Sequence, residues 1–454
     1  MKDVLMNIFE KTVSKSRNKG LDEVEFYGEW IRSLNIDISR DKVKSMKSSF
    51  NVTYGIHGCI GKRIGSIGSR NLEADLDTLL EKLVSIAKSN PEDPYFPGFA
   101  KGYSRGFEPK TVDKRLVDID SEYVLEILNN AMSSSRESAL KNGAEEVIVS
   151  EGGLRIDNYG VLIGNSNGET LYHEYTLFDI GYTVKSRAGG EESSFTMMIS
   201  NRMLDESEVM KEAVRAGEYS VKFMKAKPVE SGTYRVLLDH YMTALFVATA
   251  LQLAFSAHEV QENRSPLKGR IGQEVLSSSI TIVDDPFIDY GIGSRSFDDE
   301  GIRCSKKAVV EKGVLKTILY NYYTASRDRT LSTGNAIRAN PGVLTRPGFT
   351  NLVIQPLSNL SSFDEMASSG RVLVVHGMIG YWMSNYVNGL TQATVSHGLL
   401  YVNGEVKQAV KNVVIGGNIY DWMGSSLLAL SKDVVKVSNI YTPALLIENV
   451  RVAG

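Results

Sequence analysis

The sequence has few of the residues that cross-link a chain. Its 454 residues include only two cysteines, Cys59 and Cys304, which lie far apart and form no C-x-x-C unit. This excludes a cysteine-rich zinc module, argues against a disulfide scaffold, and fits a reducing cytoplasm. We predict two separate, buried thiols, and a bridge between Cys59 and Cys304 is the alternative.

Long apolar runs and clustered positive charge are also missing. The longest uncharged run, residues 241–257, is shorter than the about 20 residues that cross a bilayer. Charged residues interrupt the apolar N-terminus, so no signal peptide is predicted. Lys+Arg 51 and Asp+Glu 54 give a net charge of −3, without the basic clusters typical of nucleic-acid surfaces. We therefore predict a cytoplasmic protein that contacts neither membrane nor nucleic acid directly.

What the sequence does contain is a repeated order of segments in its first half. A helical N-terminus precedes alternating segments at 23–30, 33–49 and 51–69, which predict a strand meander, and residues 72–89 predict a helix. A second round then begins with a helix that Asp120 or Ser121 could cap. Three strand-like runs within 145–186 and a helix over 205–226 complete it. The two rounds suggest a possible duplication.

Beyond residue 226 the composition shifts toward glycine, valine and short strands. Helices are predicted only at about 241–257, 321–330 and 418–431. The predicted fold class is therefore α+β with two domains. Residues 1–226 form an N-terminal domain of helices packed on antiparallel meanders, and residues 227–454 form a β-rich C-terminal domain.

The pair His258-Glu259 resembles the start of a zinc-protease helix. Histidines four apart on one helical face can bind one ion, but position 262 is Glu262. The longer H-E-x-x-x-H spacing fails at Asn263. We interpret His258 as lying at a helix C-terminus before a loop, with a His/Glu metal site as the alternative. The other histidines stand alone in the sequence: His57, His173, His240, His376 and His397.

Carboxylates cluster at two places in the second half. Asp284 and Asp285 precede a proline, and Asp298, Asp299 and Glu300 precede a glycine. Such groups can form a metal or acid–base site, but they are also typical of ordinary turns, which is the interpretation we favour. No P-loop or G-x-S-x-G motif accompanies them.

Several ordered motifs in residues 265–338 resemble one known family. They are "SPLKGRIGQEVLSSSITIVDDP", "SRSFDDEGIRCSKKAVVEKGVLKTILYNYYTASR" and "LSTGNAIR". Together they resemble the TldD/PmbA family, also called the modulator-of-DNA-gyrase family. "VVIGGNIYDW" at 413–422 and the final "IENVRVAG" are similar to its late segments. The resemblance covers most of the predicted C-terminal domain.

That resemblance implies one of two subunit types. One type holds zinc with a complete H-E-x-x-x-H helix and a late cysteine, while the TldE (PmbA) type lacks these ligands. The two pair into a cytoplasmic peptidase for unfolded or leader peptides. Aligned from Ser265, the zinc-helix positions of this chain are Ala248, Thr249 and Leu253, and no cysteine follows Cys304.

The resemblance thus implies a TldE-like subunit without catalytic residues or metal of its own. Zinc is expected in a TldD-like partner subunit, a peptide is the expected substrate, and the isolated chain could form a homodimer. The candidate peptide-binding or family-motif residues are Asp284, Asp285, Phe297, Asp298, Glu300, Gly301, Thr333, Gly334, Asn335 and Arg338.

Two departures and two alternatives accompany this interpretation. The late Thr-Gly-Asp-x-Ser run of the family is "NGLTQATVSHG" here, at 388–398, and Ala409 replaces a proline. The alternatives are a stand-alone hydrolase or metallopeptidase with an unrecognised site, and a self-associating scaffold protein.

Overall fold

The structure, a computed structural model, describes residues 1–385 and 387–454. Its helices are α1 (Lys2–Ser16), α2 (Leu76–Ser89), α3 (Lys114–Val117), α4 (Ser121–Lys141), α5 (Glu206–Lys222), α6 (His240–Ala254), α7 (Ala257–Gln261), α8 (Tyr322–Arg327), α9 (Phe363–Ala367) and α10 (Ile419–Trp422). None of the helices in these described ranges is both long and apolar enough to span a bilayer.

Strands make up more of the chain than helices do. In the first half they are β1 (Glu23–Ser39), β2 (Lys42–Ile60), β3 (Arg63–Ser69), β4 (Glu146–Asn165), β5 (Thr170–Ala188) and β6 (Glu191–Asn201). In the second half they are β7 (Gly232–Leu238), β8 (Ile280–Asp284), β9 (Lys307–Glu311), β10 (Val314–Leu315), β11 (Ala336–Ile337), β12 (Arg346–Pro347), β13 (Leu352–Pro356), β14 (Leu360–Ser361), β15 (Arg371–Ile379), β16 (Leu390–Val402), β17 (Glu405–Val410), β18 (Val413–Asn418), β19 (Leu427–Ser431), β20 (Val435–Val437), β21 (Ile440–Thr442) and β22 (Leu445–Ala453). The predicted α+β class is confirmed.

The strands of the first half form one antiparallel sheet. Its order is β3-β2-β1-β4-β5-β6, so the two rounds seen in the sequence join through β1 and β4 at the centre. Helices α1 and α2 pack on the β1–β3 half, where Leu5 and Phe9 meet Phe26 and Tyr54. Helices α4 and α5 cover the other half. The helices of each round therefore cover the half of the shared sheet that is formed by the strands of the same round.

The predicted breaks within these strands were wrong. Residues 31–32 do not interrupt β1, and the chain turns instead at Arg40 and Asp41, whose φ angles are 48° and 64°. The three runs predicted in 145–186 are two long strands, β4 and β5, and β6 was not predicted. A register shift after Val149 lets β4 continue through its glycines. The predicted cap of α4 is Asp120, whose carboxylate accepts from the backbone N–H of Glu122.

The second half contains a ring of strands and a second sheet. Strands β7, β15, β16, β18 and β22 pair in succession, and β22 pairs back with β7, which closes the ring. The other sheet has the order β10-β9-β8-β13-β21-β20. Helix α6 contributes Phe246, Val247 and Leu251 to the core shared with strands of both sheets. It is therefore a buried helix, as its uncharged sequence predicts.

Two predicted helices of the second half include residues that belong to another element. Only Ile419–Trp422 of the stretch 418–431 is helical, because Leu427–Ser431 pairs with β22 as β19. The helix predicted over 241–257 ends at Ala254, and Ser256 separates it from α7. His258 therefore lies in a second, short helix and not at the C-terminus of the long one. Tertiary pairing overrides the local pattern at both places.

Candidate functional site

A cavity of about 880 Å³ lies where the N-terminal sheet meets the second half of the chain. The N-terminal side contributes Glu25 of β1 and Ser66 of β3, and the other side contributes Gln252 of α6, His258 of α7, Glu300 and Arg338. Its walls are thus built from segments that are far apart in the sequence. Ligand pockets commonly occupy such junctions and have volumes in this range.

Arg338 joins the two sides of the cavity. Its Nη2 donates to the Glu25 carboxylate at 2.5 Å, and its Nη1 lies 2.8 Å from Nε2 of His57 on β2. Nη1 also donates to the carbonyl of Val343, and the guanidinium lies 4.9 Å from the ring centre of Tyr27. Burial raises the pKa of Glu25, although the charge of Arg338 opposes this. The pair therefore holds the hairpin of β11 and β12 against β1 and β2.

Glu300 places a second buried carboxylate on the same wall. One oxygen accepts from the backbone N–H of Tyr322 at 2.7 Å, and the other accepts from the Thr345 hydroxyl at 2.5 Å. Burial, together with the neighbouring charges of Asp298 and Glu25, raises the pKa of Glu300 to about 8, although its two hydrogen bonds oppose this. The carboxyl therefore keeps its proton to a higher pH than an exposed glutamic acid does.

Other candidates form a structural network away from this wall. Asp284 is fully buried, and it accepts from Asn335 Nδ2 at 2.8 Å, Lys307 Nζ at 2.8 Å and the Thr350 backbone N–H at 2.6 Å. Thr333 donates to Asn335 Oδ1 at 2.7 Å. Each of these polar groups therefore has hydrogen-bond partners within the protein. The network ties β8 to the segment before β11.

The remaining candidates shape the turns beneath the cavity. Asp285 pairs with Lys306 at 2.7 Å, and Phe297 packs edge-on to His173. Burial raises the pKa of Asp298 to about 7, even though three backbone N–H groups donate to its carboxylate.

Two of the candidate glycines are required by the backbone. Gly301 has φ 78°, and an added Cβ would lie 2.6 Å from the Tyr103 ring. Gly334 has φ 70°, and an added Cβ would lie 2.4 Å from the carbonyl oxygen of Arg303. Of the ten candidate residues, only Glu300 and Arg338 line the cavity.

The predicted zinc-helix positions do not line the cavity. Ala248 and Thr249 are half-buried on α6, and the Thr249 hydroxyl donates to the carbonyl of Leu245. Leu253 is 40% exposed. The α6 side chain that reaches the cavity is Gln252, which carries an amide and no imidazole.

The zinc expected in this family does not fit the residues at the cavity. Within residues 1–385 and 387–454, no group of three or more His, Cys, Asp or Glu side chains is placed to hold a metal ion. Arg264 lies 3.2 Å from His258 Nε2, and burial followed by the charge of Arg346 lowers the pKa of His258. Both cysteines are buried and unbridged, as predicted, and burial raises the pKa of each thiol.

Several residues of the site were missed from the sequence. Glu25 and His57 look like ordinary positions of alternating strands, and neither neighbours another candidate. Asn321 and Thr345 contact Glu300 from two further segments. Alternation gave no signal for Glu25, because the apolar face of this strand carries Val24 and Phe26 and places Glu25 on the opposite, polar face.

Comparisons with known proteins agree on one family. The model for the PmbA/TldA metallopeptidase C-terminal domain matches residues 231–454, and the model for domain 1 of the same proteins matches residues 24–87. An uncharacterised protein of Methanocaldococcus jannaschii is 29% identical over 91% of this chain and 92% of its own length. The metalloprotease PmbA of Escherichia coli O157:H7 is 23% identical, over 89% of this chain and 87% of that protein. The crystal structure of TldE from Thermococcus kodakarensis matches 98% of this chain and 100% of its own, with a TM-score of 0.85 at 22% identity.

Proposed function

The chain belongs to the TldD/PmbA metallopeptidase family, and from this premise we propose that it is a non-catalytic, TldE-like subunit. In this role it pairs in the cytoplasm with a zinc-bearing, TldD-like subunit that cleaves unfolded or leader peptides. The proposed subunit supplies part of the peptide-binding cavity, and its partner supplies the metal and the chemistry. The proposed boundary between its two domains lies near residue 227.

The donor set around the cavity is the observation that carries this proposal. A hydrolytic zinc ion needs about three protein ligands drawn from imidazole, thiolate and carboxylate groups. The side chains that α6 and α7 bring to the cavity are Gln252 and His258, and His258 lies against Arg264. A single imidazole beside a guanidinium is a poor zinc ligand, because the cation disfavours a second positive charge.

The cavity also has the size and character expected for a peptide. Its volume of about 880 Å³ lies in the range of known ligand pockets. Apolar side chains such as Ile64, Phe96 and Phe99 line it together with the polar groups described above. An extended segment can be held there by backbone hydrogen bonds as well as by its side chains.

Co-expression tests the proposed subunit role. The tagged chain is produced with a relative from the same genome that carries a complete H-E-x-x-x-H helix, and with that relative after both histidines are changed to alanine. We expect a stable complex in both cases, and hydrolysis of an unfolded peptide only with the intact relative. No association at micromolar concentration, or hydrolysis by the isolated chain, would contradict the proposal.

A second candidate function is a stand-alone metallopeptidase, favoured by one observation. His258 and Glu259 are adjacent on α7, and His258 lines the cavity. Elemental analysis of chelator-free protein separates the two proposals. One zinc per isolated chain, lost in His258→Ala but kept in the matched control His240→Ala, would favour the stand-alone enzyme.

A further inference from the structure

The cavity wall carries a buried carboxylate that lacks a cationic partner. Glu300 is only 8% exposed, and the groups that donate to it are neutral: a backbone N–H, a hydroxyl and a side-chain amide. Within the part of the chain that the structure describes, no lysine, arginine or histidine forms an ion pair with it, since Arg338 pairs with Glu25. Ionising such a group is unfavourable until a positive charge approaches it. A positively charged group of a ligand would therefore stabilise the ionised Glu300 carboxylate.

An unused donor lies beside that carboxylate. Arg338 is 8% exposed and lines the same cavity, and its Nη2 donates to the carbonyl of Asp299, the residue before Glu300. Its Nε has no hydrogen-bond partner. Buried N–H groups without an acceptor are rare in folded proteins, and a carbonyl oxygen of a ligand would supply one. The wall thus presents one acceptor for a cation and one donor for a carbonyl, on two residues linked through the Asp299 carbonyl.

We propose that this cavity binds the free amino terminus of a peptide, with the α-ammonium on the Glu300 carboxylate and the first carbonyl oxygen on Nε–H of Arg338. In a peptide terminus these two groups are separated only by one Cα, which suits a carboxylate and a guanidinium on neighbouring segments. A lysine side chain offers the ammonium without the adjacent carbonyl. This inference rests on the proposed peptide-binding role and adds to it the end of the peptide that this chain recognises.

The charge state of Glu300 predicts how this binding depends on pH. Glu300 faces Asp298 on its own turn, Glu25 from β1, Arg338 from the β11 hairpin and, across the cavity, His258. Because its pKa is raised to about 8, the carboxyl must release a proton to pair with an ammonium. Affinity should therefore rise between about pH 6 and 8, and fall once the amino terminus loses its proton near its usual pKa of about 8.

The test uses the purified full chain and three hexapeptides that carry a fluorophore at the C-terminus. One has a free amino terminus, one is N-acetylated, and one is N-acetylated with an internal lysine. Fluorescence anisotropy should show the free terminus binding about tenfold more tightly than either acetylated peptide. Glu300→Gln should remove this preference. Its amide oxygen can still accept from the backbone N–H of Tyr322, and its NH2 group can donate to the Thr345 hydroxyl. The control Glu311→Gln, which removes an exposed carboxylate outside the cavity, should keep it.

Each other outcome overturns the inference in a recognisable way. Equal binding of the free and acetylated peptides would show that the cavity binds peptides but does not recognise their amino terminus. Equal binding of the free terminus and the lysine peptide shows a general ammonium site instead. If no peptide binds, the inference fails, while the subunit role is judged separately by complex formation. Should Glu300→Gln not fold, a flat pH profile for the wild-type chain with the free-terminus peptide overturns the inference.

Discussion

The contact between Arg338 and Glu25 predicts a large and pH-dependent loss of stability when the arginine is removed. The substitution is Arg338→Met, which keeps a similar length without charge. In the wild-type chain Glu25 is 2% exposed, and its carboxylate receives Nη2 of Arg338 at 2.5 Å. After the change this carboxylate stays buried with no cation to balance it. Removing one partner of a buried ion pair typically costs about 3–5 kcal/mol, and we expect a loss in that range.

A double-mutant cycle isolates the electrostatic part of this loss. Adding Glu25→Met removes the stranded carboxylate, so the double variant should regain about 2 kcal/mol relative to Arg338→Met. The part of the stability loss that is not regained reflects other lost contacts of the guanidinium, which include those with the Val343 carbonyl and the ring of Tyr27. Glu25→Met alone should cost less, because Arg338 keeps those contacts.

The pH dependence gives the same argument a second test. Burial already raises the pKa of Glu25, and loss of Arg338 raises it further. An acid whose folded pKa lies above its unfolded value destabilises the folded state increasingly as pH rises above the unfolded value of about 4.3. The penalty of Arg338→Met should therefore be smaller at pH 5 than at pH 8.

Urea unfolding followed by circular dichroism, with tryptophan fluorescence as a second probe, measures these differences. The two probes also show whether the halves of the chain unfold together. A cost below about 1 kcal/mol for Arg338→Met, or a double variant as unstable as the sum of the single variants, would refute the reasoning.

Three further predictions rest on separate contacts. Gly55→Ala should cost about 1–3 kcal/mol in urea unfolding, because its Cβ would lie 1.7 Å from the Pro341 carbonyl; Gly416→Ala, where the nearest atom is 3.8 Å away, should change stability little. Asp284→Asn should cost about 1.5–3 kcal/mol by the same measurement, because Lys307 loses its ion pair, and a neutral effect would contradict the network described above. Both cysteines should resist a thiol reagent in the native protein and react after denaturation, since burial raises their pKa values, that of Cys59 to about 11; rapid native labelling would show that a thiol is accessible.

Local patterns predicted most elements of this fold because those elements depend on near neighbours in the sequence. The uncharged stretch at 241–257 forms a buried helix as far as Ala254, and Asp120 caps α4. The pattern failed where distant pairing decided the outcome, as at 427–431. There, Leu427–Ser431 pairs with β22 as a strand, although this apolar run is also compatible with a helix.

The residues of the candidate site also fall into those that local sequence motifs identified and those that only distant packing brought to the cavity. The motifs around Glu300 and Arg338 were identified in the sequence, whereas most neighbouring motif residues serve to hold turns together. Glu25 and Gln252 were missed, because the spacing within a motif says nothing about a strand or helix that approaches from elsewhere.

The sequence by itself determined the family, the α+β class and the absence of a complete H-E-x-x-H or H-E-x-x-x-H motif, since each depends on which residues follow one another in the chain. Only the tertiary structure decided which of those residues face a common space. Glu25 and Arg338 are 313 positions apart and meet at 2.5 Å, because the packing of the two halves brings β1 against the β11 hairpin. Burial, and with it the raised pKa of Glu300, follows from that packing rather than from the identity of the residue.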